Sequence, residues 1–584
     1  MNKLTAQSAF SNVRFAIGLL VALTGVILAL GALGTFSALA QVQKHRIITS
    51  STDPLIPNGF DCSKIHELGI DKQENLRAGA IMIACGLAEG GSASPGSGFS
   101  QWFQNLLPAP GVYGGTDVDL ITGTETYPYV TQSTTFSAVN PDNPQQIVVA
   151  YNDFRNVNPP PNGSGTSVST DGGTTFTRLT YNGQSPFPNT GGSPVILYNR
   201  SNSTWYTVWL DLACGGQGLG GYKSTTPWDP SPSSWTHYCV HTGSSDDRES
   251  GWADNNPSSP FYGRMYVSWN NFNVGGNLFV TYSSDNGATW HSPIQLTTTF
   301  IRDVQITGDL ITGDVYIAGM DEGGGGFPHN DTNLIYRSTD GGNTWTNTYT
   351  GPSFPGPGVV ACSTNAYFTC MFTDNGGYWL HEGWGEPAAL NGVVHLVYAQ
   401  HGTGSDPGDI YYIRSTDSGV TFGTPVKLNT DTGTAAQWEP NLSVSPSGTV
   451  FAVWYDERTG GTCTAGVNTP CYQMFARKST DNGVTWLPDM AFSDVVSPLP
   501  AQPVPEIVAY YVSDYDYQIG GPTSHRTAWV DGRLAINGVQ QMDAFTDREL
   551  TATPTPTATA TPRVTPTPRP TPIPRPRPTP APRP

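Results

Sequence analysis

Three Asp-x-Arg triplets, Asp153 with Arg155, Asp456 with Arg458 and Asp531 with Arg533, each follow an apolar, aromatic-rich run. Arginines brought together from three such places would grip a carboxylate through paired hydrogen bonds. The local alternative is one Asp-Arg ion pair repeated in each unit. A second set mixes acids with aromatics: Asp247-Arg248-Glu249 with Trp252, Arg302-Asp303, Glu382 with Trp384, Glu439 with Trp438, and Asp514 with Tyr515. Carboxylates bond hydroxyls and flat rings stack on sugar faces, so this set suits neutral or cationic sugars. As catalytic candidates, Glu249, Asp303, Glu382 and Glu439 could supply a general acid and its partner carboxylate. Tyr515, in the stretch "AYYVSDYDYQ", could act as a nucleophile, although an aromatic-rich strand explains the stretch equally. Ca²⁺ could sit among these acids, but no contiguous calcium loop is present and no other cofactor is expected. The chain lacks G-x-S-x-G, H-E-x-x-H and phosphate-loop patterns, and His381 and His401 are expected at the surface.

The elements that must position these residues announce themselves by repetition. The pattern S-x-D-x-G-x-T-(W/F) occurs five times, around Asp171, Asp285, Asp340, Asp417 and Asp481. Its aspartate accepts hydrogen bonds from turn amides, its glycine takes a positive φ, and its aromatic packs beneath, so these aspartates are expected to be structural. Seven apolar strands ending in a polar residue recur at Asp153, Asp211, Asn271, Asp321, Gln400, Asp456 and Asp531. Their spacings of 58, 60, 50, 79, 56 and 75 residues suit four-stranded units with two insertions, one holding Cys362 and Cys370. The second unit has Thr226 in the aspartate's place, and the seventh has no room for an outer strand. The segment Thr116 to Thr122, "TDVDLIT", is expected to supply that strand and remove an exposed edge.

These boxes resemble those of the Asp-box (BNR) repeat proteins, the sialidase-like β-propellers, over about residues 111–549. The resemblance implies an all-β fold, a seven-bladed β-propeller with six blades as the alternative. It also implies that the box turns occupy one face, and that the opposite face carries the site. That face would be built from the starts of the innermost strands and the loops after the second strands. Ligand-binding candidates there are Arg155, Asp247, Arg248, Arg302, Arg458, Arg533, Trp252 and Trp438. Sialidases further need an aspartate acid, a tyrosine polarised by glutamate, and an arginine in an R-I-P motif near the first blade. The last is missing: "HRIITS" at Arg46 lacks the proline, and "FIRDV" at Arg302 does not match. The expected function is glycan recognition or scaffolding at the cell surface, ahead of an exo-acting glycoside hydrolase of sialidase type. Arginines that pair only with their own aspartates favour binding, and a mouth filled by loops favours a structural envelope role.

Composition sets the outer limits. Of 584 residues only 13% are charged while Gly numbers 66 and Pro 49, which excludes a helical or coiled-coil protein. Residues 41–550 hold 21 basic and 46 acidic groups, a net of −25, so a nucleic-acid partner is not expected. Residues 1–40 read as an export signal cut after Ala40, leaving no transmembrane segment; an uncleaved anchor is the alternative. The following stretch to residue 110 holds a helical hairpin over 61–86, capped by Ser63, and then a Gly/Ser linker. Residues 550–584 form a disordered, proline-rich tail, a spacer that could touch the cell envelope. The eight cysteines fall into neighbours, and the simplest pairing is Cys62–Cys85, Cys214–Cys239, Cys362–Cys370 and Cys463–Cys471, with a zinc site the weaker alternative.

Overall fold

The computed structural model describes residues 46–92 and 113–549, except 52, 54, 157–160, 363–366, 374–376, 382, 460–469, 522–523 and 538, and except the side chains of 156 and 303. The expected export signal and proline-rich tail lie outside the described residues. The described chain is mostly β, with seven sheets of four or five strands and three smaller ones. The innermost strands of the first six are Gln132–Val139, Val195–Asn199, Asp246–Ala253, Arg302–Gly308, Glu386–Leu390 and Gln437–Val444. Each packs against the next in chain order, and Ile519–Gly520 of the last sheet packs between Gln437–Val444 and Gln132–Val139.

Strand sequence explains this stacking. A strand covered on both faces can be apolar throughout, and Thr204–Asp211, TWYTVWLD, is buried at every position. Trp205, Trp209 and Trp269 lie in one core cluster between neighbouring sheets, each at most 1% exposed. Burying such side chains contributes roughly 1.5–3 kcal/mol each.

The eight-residue turns form as their sequence requires. In one, Asp285 Oδ1 accepts from the Thr289 amide at 2.9 Å and from Ser283 Oγ at 2.9 Å, while Oδ2 accepts from Thr289 Oγ1 at 2.6 Å. Asn286 and Gly287 take φ of 59° and 68°, which glycine tolerates without strain. In three of the turns, bonds from the threonine four residues on and from the box serine hold Asp171, Asp417 and Asp481 down at about 2. Asp285→Ala should therefore lower the unfolding free energy by ~1 kcal/mol in urea titration, leaving the site unaltered. Where Thr226 replaces the aspartate, only the serine half of the turn survives, Ser224 Oγ accepting from the Thr226 amide at 3.0 Å.

The last sheet takes its outer strand from the expected segment: Val118–Asp119 pairs antiparallel with Asp543–Arg548, Val118 opposite Thr546. The insertion holding Cys362 and Cys370 forms its own three-stranded sheet. Three of the four expected disulfides are formed, Cys62–Cys85, Cys214–Cys239 and Cys362–Cys370. Cys471 is also disulfide-bonded, and its expected partner Cys463 lies outside the described residues.

The N-terminal segment differs in detail from its expectation. It comprises two short 3₁₀ turns, Cys62–Lys64 and Ile70–Lys72, and one α-helix, Leu76–Ala84. Asp61, not Ser63, caps the first turn, because its carboxylate accepts from the Ser63 amide at 2.9 Å and binds the Ser63 hydroxyl as well. Asn75 caps the helix through the Ala78 amide at 2.9 Å.

Candidate functional site at the central mouth

Four innermost strands carry a register shift close to their start, between Ser133 and Thr135, Asp247 and Ser250, Arg302 and Gln305, and Trp438 and Asn441. Three of these bulges hold a non-glycine residue in the left-handed region: Thr134 at φ 53°, Arg248 at 55° and Glu439 at 44°. Such a conformation costs roughly 1–3 kcal/mol and persists where the surroundings enforce it, commonly at functional sites. An extra residue in the strand re-aims side chains, and here it aims Arg248 and Glu439 at the common centre.

Arg248 is the hub. Its guanidinium lies 4.2 Å from the Trp384 ring centre and 4.9 Å from that of Tyr515, and its Nε lies 3.3 Å from Glu74 Oε2. Acids surround it. Neither carboxyl oxygen of Glu249 has a hydrogen-bond partner among the described residues, and burial holds this group well above the usual range, with Asp247 and Asp246 adding to the effect. Glu439 Oε1 accepts from Trp379 Nε1 at 2.9 Å while Oε2 has no such partner, and burial again raises it, helped by Asp516 and Asp514. Asp514 Oδ2 accepts from Tyr511 Oη at 2.9 Å, and its Oδ1 is without a hydrogen-bond partner. Asp516 is bonded to the Thr135 amide and hydroxyl at 3.1 and 2.8 Å and is pushed up to about 7 by burial. Burial likewise brings Asp247 to about 6.

The structure thus gathers Asp247, Arg248, Glu249, Glu439, Asp514 and Tyr515 at one place, with Trp384 and Tyr511 beside them. Arg302 lies next to this group: it contacts Glu74 Oε2 at 3.0 Å, pairs with Glu322, and donates to the Lys72 carbonyl at 3.0 Å. Asp303 sits in the strand Arg302–Gly308, but its side chain lies outside the described residues, as does Glu382.

Other expected site residues are not brought there. Arg155 pairs with Asp153 at 2.9 Å and donates to Thr180 Oγ1 at 2.7 Å. Arg458 binds Asp456 at 2.6 Å and Asp489 at 2.5 Å, and Arg533 binds Asp531 at 2.5 Å and Asp117 at 2.7 Å. Each arginine is committed to acids of its own sheet: Arg155 shares a strand with Asp153, and just past the other two strand ends the Arg458 and Arg533 amides donate to Asp456 and Asp531, both at 2.8 Å. Arg458→Ala should lower the unfolding free energy by roughly 3 kcal/mol by stranding Asp456 and Asp489, and leave ligand affinity unchanged in titration.

Trp438 precedes its bulge and faces inward, packed against Trp379 and Tyr455 with ring centres at 5.1 and 5.5 Å. Trp252 lies further along its strand, half-buried, and with Gln305 and Tyr517 lines a separate cavity of about 510 Å³. His381, expected at the surface, is buried: its Nε2 accepts from the Glu439 amide at 3.3 Å, and burial lowers it to about 3, so it is neutral. His401 is half-buried and donates to the Gly402 carbonyl.

Sequence reasoning missed Glu74. It arrives from the N-terminal segment, whose residues fill the mouth: the Glu74 amide donates to Asp247 Oδ2 at 2.8 Å, Gln73 Nε2 to Ser245 Oγ at 3.2 Å, and Arg77 to the Ser244 carbonyl at 2.8 Å. Nothing in the spacing of residues 73–75 connects them with residues 244–248; the link is tertiary.

No family model matches the chain, and neither does any curated protein. Solved structures similar to it include a Dyadobacter fermentans protein of unknown function, at 12% identity over 76% of this chain and 100% of that one, with a TM-score of 0.37. A Hadza microbial sialidase is similar at 13% identity over 72% of this chain and 66% of that one, TM-score 0.36. An α-L-arabinofuranosidase from Fusarium graminearum is similar at 12% identity over 74% of this chain and 97% of that one, TM-score 0.35.

Proposed function

We propose that this chain is an exported, seven-bladed Asp-box β-propeller that recognises glycans at the cell surface through its central mouth. One observation carries the reading: Glu249, Glu439 and Asp514 are buried carboxyls with unfilled oxygens, gathered around an arginine held between Trp384 and Tyr515. Buried polar atoms normally have partners, and a sugar offers many hydroxyls together with an apolar face. Burial favours the protonated form of these carboxyls, and in that form a carboxyl both donates and accepts. The D-x-R arginines are spent within their own sheets, which favours binding over the carboxylate-gripping triad of a sialidase. The seven sheets with five box turns support the blade count, and the three disulfides support an oxidising, extracytoplasmic location. No helix among the described residues is long and apolar enough to cross a membrane.

A second reading, an exo-acting retaining glycosidase, is favoured by the Tyr511 Oη contact to Asp514 at 2.9 Å. A tyrosine polarised by a carboxylate could attack an anomeric carbon while Glu439 or Glu249 protonates the leaving oxygen. Turnover of fluorogenic sialosides and neutral glycosides by the full chain separates the two. Binding without turnover supports recognition, whereas turnover lost in both Tyr511→Phe and Glu439→Gln establishes the hydrolase.

A further inference from the structure

The N-terminal segment is more than a lid of convenience. Its polar contacts converge on the starts of two innermost strands, residues 244–248 and Arg302, where the candidate ligand-binding groups lie. At the centre of that contact is a carboxylate. Glu74 Oε2 lies 3.3 Å from Arg248 Nε and 3.0 Å from Arg302 Nη1, with the Glu74 side chain 0% exposed. A segment serving stability alone gains more from an apolar side chain at this depth, since a buried ion pair roughly breaks even against its desolvation. The seam is also less than fully packed: a cavity of about 40 Å³ lies between Leu76 and Met82 on one side and Asn152, Ser193 and Tyr511 on the other. Well-packed cores leave few voids of that size.

The segment is stapled into one piece. The disulfide Cys62–Cys85 ties its two ends, with Cα atoms 5.7 Å apart. A further attachment to the sheets lies beside these polar contacts: residues 89–92 bond to 502–509, the Gly91 amide to the Ile507 carbonyl at 2.8 Å and the Ala509 amide to the Glu89 carbonyl at 2.9 Å, and the unit's Ile70, Leu76, Ile81 and Met82 share a core cluster with Val504, Ile507 and Tyr511. There the two segments come so close that a Cβ at Gly90 would lie 2.1 Å from the Pro505 carbonyl oxygen. A fixed strap at 89–92 thus adjoins a stapled unit at 62–85.

We propose that residues 62–85 are an intramolecular plug, with Glu74 as the resident ligand of Arg248 and Arg302, and that external ligands reach the mouth only when this unit lifts. The proposal rests on the mouth being the recognition site. Hydrogen exchange followed by mass spectrometry on the full chain tests it without a known ligand. In Glu74→Gln, amides of residues 70–84 should exchange at least tenfold faster than in the wild type, while residues 265–271 and 450–456, central strands of two sheets, keep their rates. Arg77→Ala, which removes only the rim bond to Ser244, should give the same selective change at smaller size, and serves if Glu74→Gln does not fold. Glucuronate, used as a soluble sugar carboxylate, should speed exchange of 70–84 in the wild type, and glucose should not. Faster exchange of 70–84 in the variants with neither sugar having an effect sustains the plug and counts against glycan recognition at the mouth. Equal rates in all proteins, or acceleration of the plug and the sheets together, overturns the plug: the segment is then part of the core.

Discussion

Arg248→Met is expected to lower the unfolding free energy by roughly 3–5 kcal/mol and to abolish ligand binding at the mouth. The guanidinium lies between the Trp384 and Tyr515 rings and faces Glu74, and its positive charge favours the ionised forms of Glu249, Glu439, Asp514 and Asp247. Methionine restores most of the volume between the rings but removes the positive charge from among the acids. Acids that lose a buried counter-charge take up protons instead, so the loss should be larger at pH 8 than at pH 5. Urea unfolding at the two pH values measures both. A loss below 1 kcal/mol at pH 8 would mean that Arg248 is not the hub of the acid cluster.

The wild-type protein itself should be markedly more stable at pH 5 than at pH 8. Burial pushes Asp117, Asp516 and Asp547 up to about 7, and Asp247 and Asp331 up to about 6. Each of these groups holds its proton more tightly folded than unfolded. Its stabilising contribution is complete below the unfolded value near ~4 and is lost as the pH rises through the folded value. Three buried histidines, His381, His395 and His525, act in the opposite sense, since burial lowers each to about 3 and their contribution is lost as the pH falls below ~6.5. The acids outnumber them, and Glu249, Glu439, Asp514 and Asp543, all raised well above the usual range, add to the acid side. One group crossing two pH units changes stability by ~2.7 kcal/mol, so the summed fall between pH 5 and pH 8 should reach several kcal/mol. Thermal unfolding at pH 5, 6.5 and 8 reads this directly, and a midpoint that rises with pH would contradict it.

Local rules made most of the fold legible. The box turns are closed by bonds within eight residues, and the strands upstream declare themselves by composition, so both can be read without knowing what they pack against. The strand at Val118–Asp119 follows from counting, because the last sheet was one strand short. The D-x-R pairs were visible as pairs, and an aspartate at or near a strand end beside an arginine two residues on makes their ion pairing a local outcome rather than a shared site.

The mouth was legible only in outline. That Asp247, Arg248, Glu249 and Glu439 lie near the starts of innermost strands follows from strand order, whereas Asp514, expected to do the same, precedes Asp516–Tyr517, a short strand added in parallel to Gln132–Val139. Which of their neighbours face the centre does not, because a bulge reverses the alternation: Glu439 turns to the mouth while Trp438 turns to the core. His381 illustrates the same limit, since its burial depends on Trp384 and Glu439 folding over it. Glu74 was invisible for a different reason, as no local pattern ties a glutamate ahead of a helix to arginines some 170 residues and more downstream.

Glycan recognition by this protein requires that the mouth bind sugars through its buried carboxyls. The measurement that tests this most directly is calorimetric titration of the full chain with the strongest binder from a glycan array, repeated with Glu249→Gln and Arg458→Ala. Glu249→Gln should weaken binding at least tenfold, about 1.4 kcal/mol, while Arg458→Ala leaves it within twofold. Binding that survives Glu249→Gln unchanged and falls in Arg458→Ala would place the site among the D-x-R arginines and contradict the account.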